Sequence, residues 1–466
     1  MSKINTNVSS LIAQRVLKKN NNNLNQSLER LSTGLKINKG ADNPAGLIVS
    51  ENLRAEKAGI SQAIDNAERA SNIIGTAEGG LTEISSLLTE VQSLVSEAAN
   101  TGGLSTEELA ANQLQVDSIL STINRIAQST SFQGAKLLNG SYDYTTSSVT
   151  STAIDNLRIN AARLPDGATG AVVVQVVTSA QAGTLAYSGG TLTGATVTIE
   201  VAGNRGTEQL SFASGTTVSS IGTAINAVKE ATGVSATVSG TALVVNSTEF
   251  GSAQFVSLKG IAGTFTMSST KDLGRDAAVT VNGAEAQVDG LRVSYRSSNL
   301  DAEFDVDSSF NLAGTTTFGI TGGGATFALG SKVTEGDKAS IGIASVTTGS
   351  LGDSGNGYLS SLGSGGTNSL TSDNLTTAQK VIDKSIKQVS QLRGRLGAFQ
   401  RFTIGSTVNS LGVALENASS AESAIRDTDF AEETANLTRN QILAQAATTV
   451  LSQANASPQA ALALLQ

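Results

Sequence analysis

The chain has 466 residues, enough for two to four domains and a sizeable core. Its net charge of −8 comes without the basic stripe of a nucleic-acid binder, so no nucleic-acid partner is expected. It holds no His, Cys or Trp, which excludes Ser-His-Asp and Cys-His nucleophilic sites, His- or Cys-bearing zinc sites, haem held by either residue and Cys-ligated iron-sulfur clusters. Carboxylates, Ser, Thr, Lys and Tyr remain for any chemistry. A chain without cysteine suits a protein that leaves the cell without disulfides as well as one kept in a reducing cytoplasm.

The first residues carry an apolar patch only at Leu11 and Ile12, short of the seven or more apolar residues of a signal-peptide core. No stretch approaches the ~18 apolar residues of a membrane span, so no membrane partner is expected. An extracellular destination requires a route that reads no cleaved signal. Residues 1 to 33 read as an amphipathic helix after a short extended start. Ile4, Val8, Leu11, Ile12 and Val16 make one stripe, and Leu24, Leu28, Leu31 and Leu35 continue it at the heptad step, interrupted by the Asn20 to Asn23 run. Such a stripe calls for partner helices. Gly34, Gly40, Asn43, Pro44 and Gly46 then predict a connection around 34 to 46.

Helical periodicity resumes near Ala45 and runs to about Asn100 through Leu53, Ile60, Ile64, Ile73, Ile74, Leu81, Ile84, Leu88, Val91 and Val95, until Thr101, Gly102 and Gly103 stop it. Ser105 or Thr106, followed by Glu107 and Glu108, predicts an N-cap and a helix to about Ser129. The middle changes character, since 33 of the 48 glycines fall in residues 141 to 370. Alternation in Val197 to Val201, Val234 to Val238 and Leu243 to Val245 predicts strands. Ser219 to Ala231 predicts one short helix between them, and Asn282-Gly283 a hairpin turn. Residues from Asn374 to about Ile425 predict one helix of some fifty residues, roughly 75 Å long at ~1.5 Å per residue. Asp429 with Glu432 predicts the capped start of a last helix through Leu437, Ile442, Leu443, Val450 and Leu451, ending in an apolar tail that includes Leu464 and Leu465. A tail of that kind is expected to be buried against other copies.

The segments Glu29-Arg-Leu-Ser-Thr-Gly-Leu-Lys-Ile-Asn and Asn38-Lys-Gly-Ala-Asp-Asn-Pro-Ala-Gly-Leu resemble the N-terminal region of bacterial flagellin. Asp427-Thr-Asp-Phe-Ala-Glu-Glu, Asn440-Gln-Ile-Leu-Ala-Gln-Ala and Leu451-Ser-Gln-Ala-Asn resemble its C-terminal region, in the correct order. Residues 195 to 258 resemble the ββαββ insert of many flagellins and hook-associated proteins, and Gly324-Ala-Thr-Phe with Ile341-Gly-Ile resembles a β-hairpin region that returns to the bundle.

The resemblance implies a mainly α protein with a β insert: terminal coiled-coil helices, a helical rod bundle with a β-hairpin region, and an outward α+β domain. The expected inner terminal domain is 1–40 plus 427–466, the rod domain 41–185 plus 305–426, and the outer variable domain 186–304. The resemblance also implies a non-enzymatic subunit that polymerises with itself into an extracellular filament serving motility. It implies export, largely unfolded, through the flagellar type III apparatus, with an export chaperone, the filament cap and hook-associated proteins as partners, and no cofactor or metal.

The polymerisation contacts are expected at Ile4, Val8, Leu11, Leu24, Leu28 and Leu31 of the first helix and at Leu437, Ile442, Leu443, Val450, Leu451, Leu464 and Leu465 of the last. Both termini read as thin, apolar and weakly capped, which favours packing between subunits over a closed internal bundle, and a heterologous contact that does not close builds a helical filament. In many flagellins a host innate immune receptor reads a helix segment resembling Leu88 to Asn100, with Arg where this chain has Glu90. Leu88, Val91, Leu94 and Asn100 keep the pattern, while Glu90, Gln92 and Ser93 depart from it, so weakened recognition is expected.

Three other constellations read more plainly. Asp427, Asp429, Glu432 and Glu433 have the look of paired carboxylates for glycoside hydrolysis, yet no aromatic residue clusters there to bind a sugar, and acids at a helix start stabilise its dipole. Asp301, Asp305 and Asp307 lack the Gly and terminal Glu of an EF-hand. Arg393, Arg395, Arg401 and Arg426 are expected to pair with Glu51, Glu56, Glu83, Glu90 and Glu97, setting register more than strength. Two rival readings stand beside the filament subunit: a hook-filament junction protein, which shares such ends, and a secreted enzyme displayed on a helical stalk.

Overall fold

The computed structural model describes residues 6–100, 102–164, 169–192, 196–240, 242–265, 267, 269–372 and 374–463, with side chains of the last helix placed through Ser457. Two compact units emerge, one of residues 1–68 with 328–337 and 404–466, the other of residues 69–327 with 338–403. These divisions fall at 68 and 404 rather than at the expected 40 and 427.

Eight α-helices carry the helical part of the described chain: α1 (Val8–Thr33), α2 (Pro44–Ala98), α3 (Thr106–Ser129), α4 (Val218–Ala227), α5 (Lys229–Thr232), α6 (Leu375–Ala398), α7 (Gly405–Arg426) and α8 (Phe430–Ala463). Pro44 opens α2, where its missing N–H costs nothing. Along α2 a buried stripe runs through Ile60, Ala63, Ala67, Ala70, Ile74, Ala77, Leu81, Ile84, Leu88, Val91, Val95 and Ala98 in alternating three- and four-residue steps, with Leu94 buried beside it. Ser105 and Glu108 form a complete capping box at the start of α3. The helix expected from Asn374 to Ile425 is present but changes winding, with a π-helical turn at Phe399–Ile404 joining α6 to α7. Gly394, Gly397 and Gly405 lie on either side and weaken the α preference there.

The second unit holds two β cores. In the first, a five-stranded sheet runs in the order Ala284–Glu285, Ala278–Val281, Gly170–Thr178, Gly314–Gly323, Tyr144–Ser147. A four-stranded sheet runs Gln287–Asp289, Arg292–Arg296, Leu300–Val306, Ile154–Ala162. Their alternate residues share one core that includes Tyr144, Val174, Val279, Val293, Phe304 and Phe318. Asn282 and Gly283 both adopt positive φ, 51° and 81°, the conformation a two-residue hairpin turn requires.

The second core belongs to the insert. Strands Lys271–Leu273, Phe255–Ala262, Val197–Gly203 and Thr207–Phe212 form one sheet, and Thr184–Tyr187, Ala242–Ser247 and Val234–Ser239 another, closed by Ile221 and Ile225 of α4. The expected outward domain, 186–304, is therefore not one body. Its strands between 278 and 306 pack in the first core, because their buried faces meet those of residues 144–180 and 318–320. The expected hairpin region appears as Ala325–Ala328 paired with Lys338–Ile341.

Candidate functional site

In the terminal unit, α1 and α8 lie antiparallel. Ser10 Oγ is 2.7 Å from Asn455 Oδ1, Asn20 Nδ2 donates to the Leu443 carbonyl at 3.1 Å, Asn440 Nδ2 to Ser27 Oγ at 3.3 Å, and Arg30 pairs with Glu433 at 3.5 Å. Along α1 the inward series is Ser10, Ala13, Leu17, Asn20, Leu24, Ser27 and Leu31, with Gln26, Glu29 and Arg30 half-buried beside its end. That of α8 is Glu433, Leu437, Asn440, Ala444, Ala447, Leu451 and Ala454. Both series step by threes and fours, the heptad spacing of a coiled-coil seam.

This seam is built mostly from small and polar side chains. Ser10, Asn20, Ser27 and Glu433 are all buried in it. Leu17, Leu24, Leu31, Leu437 and Leu451 are half-buried there, but more of the larger apolar side chains point the other way: Val8, Leu11, Ile442 and Val450 keep 56, 57, 62 and 59 % of their surface exposed, and Ile12, Val16, Leu28, Phe430 and Leu443 are exposed as well.

The residues expected at polymerisation contacts thus divide. Val8, Leu11, Leu28, Ile442, Leu443 and Val450 face outward. Leu24, Leu31, Leu437 and Leu451 are half-buried on the intramolecular seam, because α1 and α8 already pair within the subunit. Ile4, Leu464 and Leu465 lie outside the described residues. Weak capping is also corrected. The Asn7 side chain accepts from the Ser10 N–H at 3.0 Å, and left-handed Gly34, φ 72°, closes α1 with its N–H on the Arg30 carbonyl. Asp429 caps α8 by accepting from the N–H groups of Ala431 and Glu432.

The connector from Gly34 to Asn43 ties the two ends together. The Lys36 N–H donates to the Arg426 carbonyl at 2.7 Å and the Thr428 N–H to the Gly34 carbonyl at 2.9 Å. Arg426 reaches Glu51 at 3.1 Å, and Lys57 reaches Glu422 at 2.8 Å. Asp42 organises the loop, accepting from the Asn38 and Lys39 N–H groups and from Gln26 of α1. Those donors, the Lys39 N–H foremost, hold its pKa below the ordinary carboxylate value.

Residues 4–143 match the bacterial flagellin N-terminal helical region, 379–465 the C-terminal helical region, and 196–249 the flagellin hook IN motif. A B-type flagellin of Pseudomonas aeruginosa is 31% identical over 526 residues, covering 99% of each chain. The chain belongs to the bacterial flagellins. A flagellin A of Vibrio cholerae is 29% identical over 470 residues, again with 99% of each chain covered. The function that follows is that of a structural subunit of the flagellar filament.

The remaining expected groups of this flagellin separate in space. Leu88, Val91 and Leu94 are buried in the subunit's own core and offer no receptor surface; Glu90 and Asn100 face outward. Of the acids near residue 430, Glu433 is held by Arg30 and Asp429 is a cap, while Asp427 accepts from Ser423 Oγ at 2.6 Å. Asp301, Asp305 and Asp307 are engaged by Asn160, Asn156 and Ser309 respectively. Of the four arginines expected to pair with glutamates, Arg426 does so, whereas Arg395 donates to the Gly342 carbonyl. No helix among the described residues is long and apolar enough to cross a membrane.

Proposed function

We propose that the outward apolar stripe of α1 and α8 is the surface through which this subunit polymerises into the flagellar filament. The observation that supports it is the packing of the pair, which covers mostly small and polar groups with a few half-buried leucines and leaves Val8, Leu11, Ile12, Ile442 and Val450 outside. An exposed apolar stripe of this kind marks an association site. Whole-length similarity to flagellins favours a filament subunit over a hook-filament junction protein. Within this reading the subunit leaves the cell unfolded through the type III apparatus, meets an export chaperone, the filament cap and hook-associated proteins, and serves motility outside the cell. Glu90 in place of Arg weakens host receptor recognition.

Leu11→Ser combined with Ile442→Ser tests the stripe. Burying one such side chain contributes about 1.5 kcal/mol or more, so the pair removes at least about 3 kcal/mol, roughly a hundredfold in critical concentration. Seeded assembly followed by sedimentation should show this loss while the monomer's helical circular dichroism is retained. Normal polymerisation by the double variant rejects the surface.

A further inference from the structure

Between α6 and the strands Ile154–Ala162 and Leu300–Val306 lies a cavity of about 380 Å³ that the assembly surface does not use. Its acids Asp301 and Glu303 are already engaged. Asp301 accepts from Asn160 Nδ2 at 2.9 Å and pairs with Arg296 at 3.7 Å, and Glu303 pairs with Arg292 at 3.3 Å and Arg296 at 3.5 Å. Two further guanidiniums line the cavity with donors to spare. The Arg158 guanidinium makes no hydrogen bond or ion pair among the described residues, and Arg395 spends one N–H on the Gly342 carbonyl while its buried Nε has no partner. The remaining charge in the cavity is Asp143, whose carboxylate accepts from the Tyr144 N–H at 2.8 Å.

Guanidinium donors left unpaired on a cavity of this size are open to an acceptor, and a guanidinium fork matches the paired oxygens of carboxylate and phosphate. We propose that the cavity binds a small oxyanion, of phosphate or carboxylate type, held by Arg158 and Arg395. Burial lowers the pKa of both arginines, from a starting point so high that each keeps its charge at neutral pH; nearby acids oppose that shift, Asp143 and then Glu303 at Arg158, and Asp301 and Glu303 ahead of Asp143 at Arg395. The site goes beyond filament formation and is independent of it, so its failure leaves the assembly reading intact.

The test uses the full-length monomer titrated with inorganic phosphate, malonate or chloride at matched ionic strength, followed by the arginine Nε–H resonances and by calorimetry. Saturable shifts of the Arg158 and Arg395 resonances with phosphate, with malonate or with both establish the site and identify which oxyanion it prefers. Arg158→Gln should weaken binding about tenfold or more, while Arg205→Gln, an arginine of the insert, should leave it unchanged. Absence of any saturable shift in the unaltered protein overturns the proposal, and this measurement does not depend on a variant folding. Equal affinity in a folded Arg158→Gln variant also overturns it.

Discussion

Asp42 shows how much one carboxylate can organise. Its oxygens hold two consecutive backbone N–H groups of the connector and the Gln26 amide of α1. Because these donors depress its pKa in the folded chain relative to the unfolded one, its contribution is complete above the ordinary carboxylate range and is lost as pH falls through the lower, folded value. Acid should therefore free the connector, read as loss of hydrogen-exchange protection at Asn38 and Lys39. Asp42→Asn should show the same loss already at neutral pH, and unchanged protection in that variant would contradict the account. Glu90 makes the second residue-scale case. If a receptor pairs with a guanidinium at this point, a carboxylate costs about 2 to 5 kcal/mol at a buried contact. Activation of receptor-expressing reporter cells by the monomer is expected to be poor and to rise with Glu90→Arg plus Gln92→Arg. Most of the gain should come from residue 90, since Gln92 already donates to Asp383 at 3.1 Å and an Arg there has an internal partner. Strong activation by the unaltered monomer refutes this.

The helices were the most legible elements, because a buried stripe and a cap are written locally. The periodicity of Ile60 to Val95, an N-cap at Ser105 or Thr106 and the Asn282-Gly283 turn all fall where the structure has them, although the reciprocal Ser105–Glu108 box is visible only in the structure. The α1–α8 seam is legible only in part. Hydrophobic periodicity marks Leu24 and Leu31 of its inward series together with the outward Val8, Leu11, Ile12 and Val16, whereas the inward Ser10, Ala13, Asn20 and Ser27 are small and polar and give no such signal. Leu88, Val91 and Leu94 carry a family pattern, which does not say which residues a helix turns inward, and in the subunit all three are buried. A seam with so little apolar burial contributes little beyond its hydrogen bonds. Native-state hydrogen exchange should accordingly show α1 and α8 opening at lower free energy than α3 and α6 in the monomer. Uniform protection across all four would rule this out.

For the strands from 278 to 306, alternation reveals the strand but not its partner. Pairing is decided by long-range register, here Val279 with Val176 and Glu303 with Arg158. At the scale of the whole molecule, the insert leaves and rejoins the first core at one point, where Gln181 and Arg275 exchange two backbone hydrogen bonds of 2.8 Å. Replacing residues 182–274 by a short Gly/Ser link should leave the remaining fold and filament formation intact. The removed insert forfeits an exposed ion pair, Glu230 with Lys380, contributing at most about 1 kcal/mol, the two hydrogen bonds from Ser252 to Asp276 and the packing of Phe250 against the first core. A shortened chain that neither folds nor polymerises would show that the insert is integral.

The packing of α1 against α8 also fixes how growth responds to its surroundings. Side chains such as Leu11 and Ile442 remain hydrated until a neighbour covers them, so elongation releases ordered water and carries a negative heat-capacity change. Polymer should then be favoured by warming from the cold and by sulfate, and should shed subunits on chilling. The filament end behaves as a thermometer of apolar hydration, tuned by how many such side chains each subunit leaves uncovered.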